Sequence, residues 1–148
     1  LLASEIATVE PETRLYAATL MNRANQGLSK FRLLSQLFQD RPKSLGADTL
    51  RLFFPLWYYD KMRSQTGEID PLLMLSLVRQ ESAFNSRARS IVGARGLMQV
   101  MPATARWISR VRKDKLFDPE TNIAVGTKYF RHRLDQLNGD VELTLAAY

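Results

Sequence analysis

One carboxylate in this chain stands where a helix would place a leucine. Across PLLMLSLVRQESAF, the apolar residues Leu73, Met74, Leu77, Val78 and Phe84 recur at the three- and four-residue steps of one helix face. Glu81 lies on the same stripe. An acid at the end of such a stripe is partly removed from water, which disfavours its charged form and raises its pKa. A carboxylic acid still protonated near neutral pH is what a general acid requires. The competing reading is a glutamate that reaches out to solvent from a helix end, or that pairs with an arginine, as most charged side chains do.

The residues after Glu81 favour the chemical reading. NSRARSIVGARGLMQVM carries two glycines three apart, Gly93 and Gly96, which permit positive φ and close backbone approach. Such a bend can build a wall beside Glu81. Met98, Gln99 and Met101 add polarisable apolar surface and one amide, a mixture that suits a sugar with apolar ring faces and polar edges. Core packing is the strong alternative for Met98.

Other chemistries lose their reagents. The chain has no cysteine and a single histidine, His132, so disulfides, thiol nucleophiles and thiolate metal sites are excluded. No His-x-x-x-His spacing or Asp/Asn-rich loop suggests a metal cage, and neither metal nor cofactor is expected. Carboxylates, hydroxyls and amides remain. Ordinary glycosidases use two carboxylates, about 5–5.5 Å apart when retaining and about 6.5–9.5 Å when inverting. Here no acid follows Glu81 until Asp114, and Asp70 would lie about 16 Å away along the helical rise. The local pattern favours one acid working alone, with a tertiary partner such as Glu120 or Glu142 left open.

The elements that must hold Glu81 are helical, and the expected fold class is all-α. Helices are expected over Pro11–Gln26, with Gly27 closing the first, and over Ser29–Gln39. This pair resembles the last unit of a larger helical array. Residues 40–49 (DRPKSLGADT) are rich in turn formers and read as a linker, with a boundary near residue 50. Pro55 is expected to end an extended FF segment and open a helix through Tyr59 and Met62, stopped by Gly67. Asp70-Pro71, Met101-Pro102 and Asp118-Pro119 each read as a helix start, and Asp140 as the cap of a last helix. His132, among Lys128, Arg131 and Arg133, is given a surface or packing role; Trp57 and Trp107 are left unassigned.

The net charge of +6 is unevenly placed: residues 82–113 hold six arginines and one lysine and no acid. A basic face attracts polyanions, whether nucleic acid, anionic lipid or cell-wall polymer, although solvated surface arginines give the same count. No run approaches the roughly 18 uncharged apolar residues of a membrane span. The opening LLASEIATVE carries acids and lacks a basic start, so it does not read as a signal peptide.

Three segments in order carry a family resemblance: RQESAFN, then SIVGARGLMQVMPATA, then LAAY. Together they resemble the motifs of the soluble lytic transglycosylases, whose catalytic domain is like goose-type lysozyme. The resemblance covers about residues 51–148, and residues 1–50 look like the end of that family's superhelical region. It implies that Glu81 is the catalytic acid, and that Ser90, Gln99, Met101 and Tyr148 contact glycan or lie near the acid. It implies peptidoglycan glycan strands as substrate, cleaved between N-acetylmuramic acid and N-acetylglucosamine to leave 1,6-anhydro ends, and a periplasmic or cell-wall location. In the family the LAAY element continues with Asn and a Gly-Pro segment, while this chain ends at Tyr148, so the 148-residue chain is expected to be weakly active. Arg95 falls at a variable spot of the turn. A hydrolytic lysozyme on the same fold and a non-catalytic peptidoglycan-binding module are the alternatives. A nucleic-acid binder is not expected, because the basic segment lacks a recognition-helix motif.

Overall fold

The computed structural model describes residues 9–44 and 46–148. The reading of the first ten residues against a signal peptide lies, for residues 1–8, outside the described residues. The fold is all-α, and the chain divides into two compact units, Leu1–Trp57 and Tyr58–Tyr148.

In the first unit, α1 (Pro11–Arg23) and α2 (Gly27–Asp40) form the expected helix pair. Pro11 sits in the opening turn of α1, where its missing N–H costs nothing. The turn between them differs from expectation. Asn25, not Gly27, takes the left-handed conformation (φ 55°), and Gly27 opens α2 as a buried residue. Ala18, Leu33 and Leu34 form the centre of a small core with Leu15, Met21, Phe38, Leu52 and Phe53 against it. The expected linker is shorter than residues 40–49. A 3-10 turn at Pro42–Ser44 is followed by α3 (Ala47–Phe53), whose Leu52 and Phe53 close that core. Burial of those side chains selects helix where local turn residues suggest none. Nor does Pro55 open a helix: it is a buried residue in the turn before α4.

The second unit contains α4 (Tyr59–Thr66), α5 (Pro71–Ser82), α6 (Pro102–Ser109), α7 (Pro119–Gln136) and α8 (Val141–Ala147), with a 3-10 turn at Lys113–Phe117. Three of these starts are fixed by aspartate caps. Asp70 accepts from Leu72 N at 2.8 Å, Asp118 from Thr121 N at 2.9 Å and Asp140 from Leu143 N at 2.9 Å. The long helix α7 is the spine, packing against α4, α6, the 3-10 turn and α8. Its Ile123, Val125 and Phe130 are buried with Met62, Met74, Leu77, Val78, Leu97 and Met98 from the elements around it. No helix is long and apolar enough to cross a membrane among the described residues.

Candidate active site

Glu81 is the penultimate residue of α5. The buried face of that helix runs through Met74, Leu75, Leu77 and Val78, so the next three- and four-residue step delivers Glu81 to the edge of the core. The residue is exposed overall, yet part of its surroundings is protein, and that desolvation raises its pKa above the ordinary glutamate range. The two facts agree for a carboxyl that rests against protein on one side and opens to solvent on the other.

The chain leaves α5 through an uncommon turn. Ala83 (φ 50°) and Phe84 (φ 64°) are consecutive left-handed non-glycine residues, both buried. Each costs on the order of 1 kcal/mol of backbone strain, and the anchoring of both side chains in the core holds them there. The reversal begins two residues after Glu81 and starts the loop 85–101, which returns to α6.

That loop is braced by its own backbone and by few side chains. Ser90 Oγ accepts from Ala94 N at 3.0 Å, while Ser90 N donates to Ala94 O and Gly93 N donates to Ser90 O, each at 3.0 Å. The serine hydroxyl therefore closes the turn that lifts Ile91 and Val92 into solvent. Arg95 pairs with Val100 across the second turn, and Gly96 N donates to Ala88 O at 2.9 Å. Gln99, itself left-handed (φ 47°), turns its Nε2 back to Gly96 O at 2.8 Å. Met101 is the N-terminal flanking residue of α6 and is 38% exposed.

Two residues that sequence reasoning did not single out hold the loop on α7. Asn122 is fully buried; its Oδ1 accepts from Met98 N at 2.8 Å, and its Nδ2 donates to Arg95 O at 2.9 Å and Leu116 O at 2.8 Å. Gly126, one turn on, lets Met98 lie flat on the helix: a Cβ there would sit 2.5 to 2.9 Å from the Met98 side chain. The available signal is an amide and a glycine on the apolar stripe of NIAVG, where a buried amide must find partners. Met98 is accordingly core, with no exposed surface.

Tyr148 joins the same cluster. Its hydroxyl donates to Met98 O at 3.1 Å, and its ring lies 5.3 Å from that of Tyr129 and 6.0 Å from that of Phe130. Burial first, then the Glu81 carboxylate, then Tyr129, push the phenol pKa far up, so Tyr148 stays a neutral donor. Thus Glu81 and Tyr148 are electrostatic neighbours, and Tyr148, Met98 and Gln99 share one braced segment. Ser90 and Gln99 spend polar atoms inside the loop, and Met101 presents its side chain from the loop's end. Glu120, one of the acids left open as a partner, is ion-paired with Lys61 at 3.2 Å. A separate cavity of about 250 Å³, lined by Asp60, Lys61, Ser64, Gln65, Glu120 and Ile123, includes none of Glu81, Ser90, Gln99, Met101 and Tyr148. No group of three or more metal-binding side chains occurs among the described residues.

The protein is similar to known proteins. The soluble lytic murein transglycosylase of Escherichia coli strain K12 is 38% identical over 110 residues, covering 68% of this chain and 17% of that protein. The transglycosylase of Enterobacteria phage PRD1 is 44% identical over 80 residues, 54% of this chain and 29% of that protein. Among solved structures, an inactive mutant of the lytic transglycosylase from Pseudomonas aeruginosa superposes with a TM-score of 0.77 at 28% identity. It covers 95% of this chain and 23% of its own. The 70-kDa soluble lytic transglycosylase of Escherichia coli gives a TM-score of 0.72, also at 28% identity, over 90% of this chain and 22% of its own. This chain thus spans about a fifth of the length of these relatives. Residues 59–148, which contain Glu81, its loop and Tyr148, match the transglycosylase SLT domain, and the chain belongs to that family.

Proposed function

We propose that this protein is a lytic transglycosylase of peptidoglycan in which Glu81 is the sole catalytic carboxyl. The observation that carries the reading is the desolvated carboxyl of Glu81 at the end of α5, in a chain of this family. Protonated Glu81 gives its proton to the glycosidic oxygen between N-acetylmuramic acid and N-acetylglucosamine as that bond breaks. The carboxylate then takes the proton of the muramic acid C6 hydroxyl, whose oxygen bonds to C1 of the same sugar. The product is a 1,6-anhydro end; no water is consumed and Glu81 finishes protonated. An internal nucleophile has a high effective concentration, so no second carboxylate is needed to activate water.

Residues 51–148 form the transglycosylase domain in this reading, and residues 1–50 end a helical region upstream. Ser90 shapes the turn that lines the glycan groove, Gln99 and Met101 border it, and Tyr148 sets the position of the segment facing Glu81. The site of action is the cell wall, on the periplasmic side, in keeping with relatives named as murein transglycosylases, some of them membrane-bound.

Purified peptidoglycan incubated with the protein and with its Glu81→Gln variant, followed by mass spectrometry of the released muropeptides, tests the reading. Anhydro products, one water lighter than hydrolysis products and absent with the variant, are expected. Reducing-end products would make the protein a lysozyme, and products that persist with the variant would remove Glu81 from the mechanism.

A further inference from the structure

Helix α6 inverts the usual rule for a surface helix. Its inward side carries the fully buried Ala105, with Pro102, Thr104, Ile108 and Ser109 partly covered, and it packs on α7 and the 3-10 turn. Its outward side consists of Ala103, Arg106 and Trp107, with Arg110 just past the helix, at steps of three and four. Trp107, the largest side chain of the helix, is 63% exposed.

Trp107 is nonetheless held. The ring of His132, on α7, packs against it in a T-shaped pair, at a centroid distance of 4.9 Å and an interplanar angle of 81°. Such T-shaped pairs add roughly 0.5–1.5 kcal/mol beyond area burial, enough to favour one ring orientation. Arg106 and Arg110 share the outward side with Trp107, both exposed, and neither is in an ion pair among the described residues; Arg112 is paired with Asp114 at 3.1 Å. The surface therefore presents one held aromatic ring and two cations on the same side of α6, on a stretch (residues 82–113) that contains no acid.

We propose that Trp107, positioned by His132 and with Arg106 and Arg110 on the same side of α6, is an accessory binding platform for an anionic glycan strand. The aromatic face takes the apolar face of a pyranose ring, and the guanidinium groups take carboxylates carried by the strand. Charge complementarity commits the occupant: a cationic platform next to a single ring fits a polymer of sugars bearing carboxylates. An anionic lipid surface fits less well, because the outward side of α6 offers one large apolar group and an alanine, too little to insert among acyl chains. Met101, a candidate groove residue, flanks the start of the same helix, and Trp107 lies six residues on, about 9 Å along its axis. The proposal rests on the peptidoglycan reading for its ligand, and it goes beyond that reading in placing a contact outside the cluster around Glu81.

The test is co-sedimentation of the 148-residue chain, carrying Glu81→Gln to prevent turnover, with insoluble peptidoglycan. Trp107→Ala is expected to weaken binding roughly five- to tenfold and Trp107→Phe to restore most of it. His132→Ala should give an intermediate loss. Arg106→Ala with Arg110→Ala should weaken binding to peptidoglycan while leaving binding to neutral N-acetylglucosamine oligomers unchanged. All these side chains lie at the surface or half-buried, and the circular dichroism melt of each variant checks folding directly. Unchanged sedimentation with Trp107→Ala would overturn the platform alone. Failure of the parent chain to sediment at all would overturn the peptidoglycan reading with it. Loss of binding to phosphatidylglycerol vesicles, but not to peptidoglycan, would assign the ring to a lipid surface instead.

Discussion

The side chain of Asn122 replaces a strand partner for the backbone of Met98. Oδ1 accepts from Met98 N at 2.8 Å while Nδ2 bridges to Arg95 O and Leu116 O, so one buried amide ties the loop after Glu81 to both α7 and the 3-10 turn. Buried backbone groups left without partners cost about 1–3 kcal/mol each. Asn122→Ala orphans one N–H and removes a donor from two carbonyls, and is expected to destabilise the fold by about 3 kcal/mol. Urea unfolding reads the loss, and hydrogen exchange at Met98 N reads its place. A loss under about 1 kcal/mol would mean that the loop is held by something else.

Gly93 and Gly96 lie in the same loop and both have positive φ, 95° and 75°. Only the second is crowded. A Cβ on Gly96 would overlap Leu116 O and the Asn122 amide, whereas nothing lies within 4 Å of one on Gly93. Gly93→Ala should cost about 1 kcal/mol, the strain of a left-handed alanine. Gly96→Ala should cost at least about 3 kcal/mol or prevent folding, since the obstacle is backbone and cannot turn aside. Equal melting temperatures for the two variants would contradict the close approach seen at Gly96.

Glu81 leaves a signature in stability against pH. Its folded pKa is raised by desolvation, so the folded state holds that proton more tightly than the unfolded state does. Its contribution therefore favours folding at acid pH and turns unfavourable as pH rises from the unfolded pKa through the folded one. Glu81→Gln removes the ionisation. The variant should match the parent in acid and melt higher than the parent near neutral pH, while losing about 100-fold or more in turnover. A variant less stable than the parent at neutral pH would show that the carboxylate is favourably bound there, contrary to desolvation as the main influence.

Tyr148→Phe separates the hydroxyl from the ring. The ring contacts with Tyr129 and Phe130 persist, while the 3.1 Å hydrogen bond to Met98 O is lost. A loss of about 1 kcal/mol is expected, one buried carbonyl being left short of a donor. Because the phenol is neutral throughout, the stability difference between the parent and this variant should not change from mildly acid to mildly alkaline pH. A difference that grew towards alkaline pH would mean that Tyr148 ionises.

Much of the scaffold is legible residue by residue because its causes are local. Proline fixes φ in the opening turn of a helix, and aspartate reaches the N–H groups two or three residues ahead. Pro71, Pro102 and Pro119 open helices for the first reason, and Asp70, Asp118 and Asp140 cap the helices that follow them for the second. The stripe that delivers Glu81 is likewise a matter of 3.6 residues per turn, and so is the inward side of α7. The segment 47–53 escapes such a reading for the converse reason: its helix is selected by burial of Leu52 and Phe53 in the core of the helix pair, a contact that no window along the chain contains.

At the site, the sequence by itself determined which side chain could act as the acid and that a glycine-bearing turn follows it. The tertiary structure alone decided how the turn is held, through Asn122 reaching Met98 across 24 residues and Tyr148 reaching it across 50. It also decided that Ser90 and Gln99 brace the loop, that Trp107 faces solvent while paired with the His132 ring, and how far the Glu81 carboxyl is withdrawn from water. Desolvation and long-range hydrogen bonds depend on which atoms surround a group in space. Periodicity in a sequence reports only which atoms share a face.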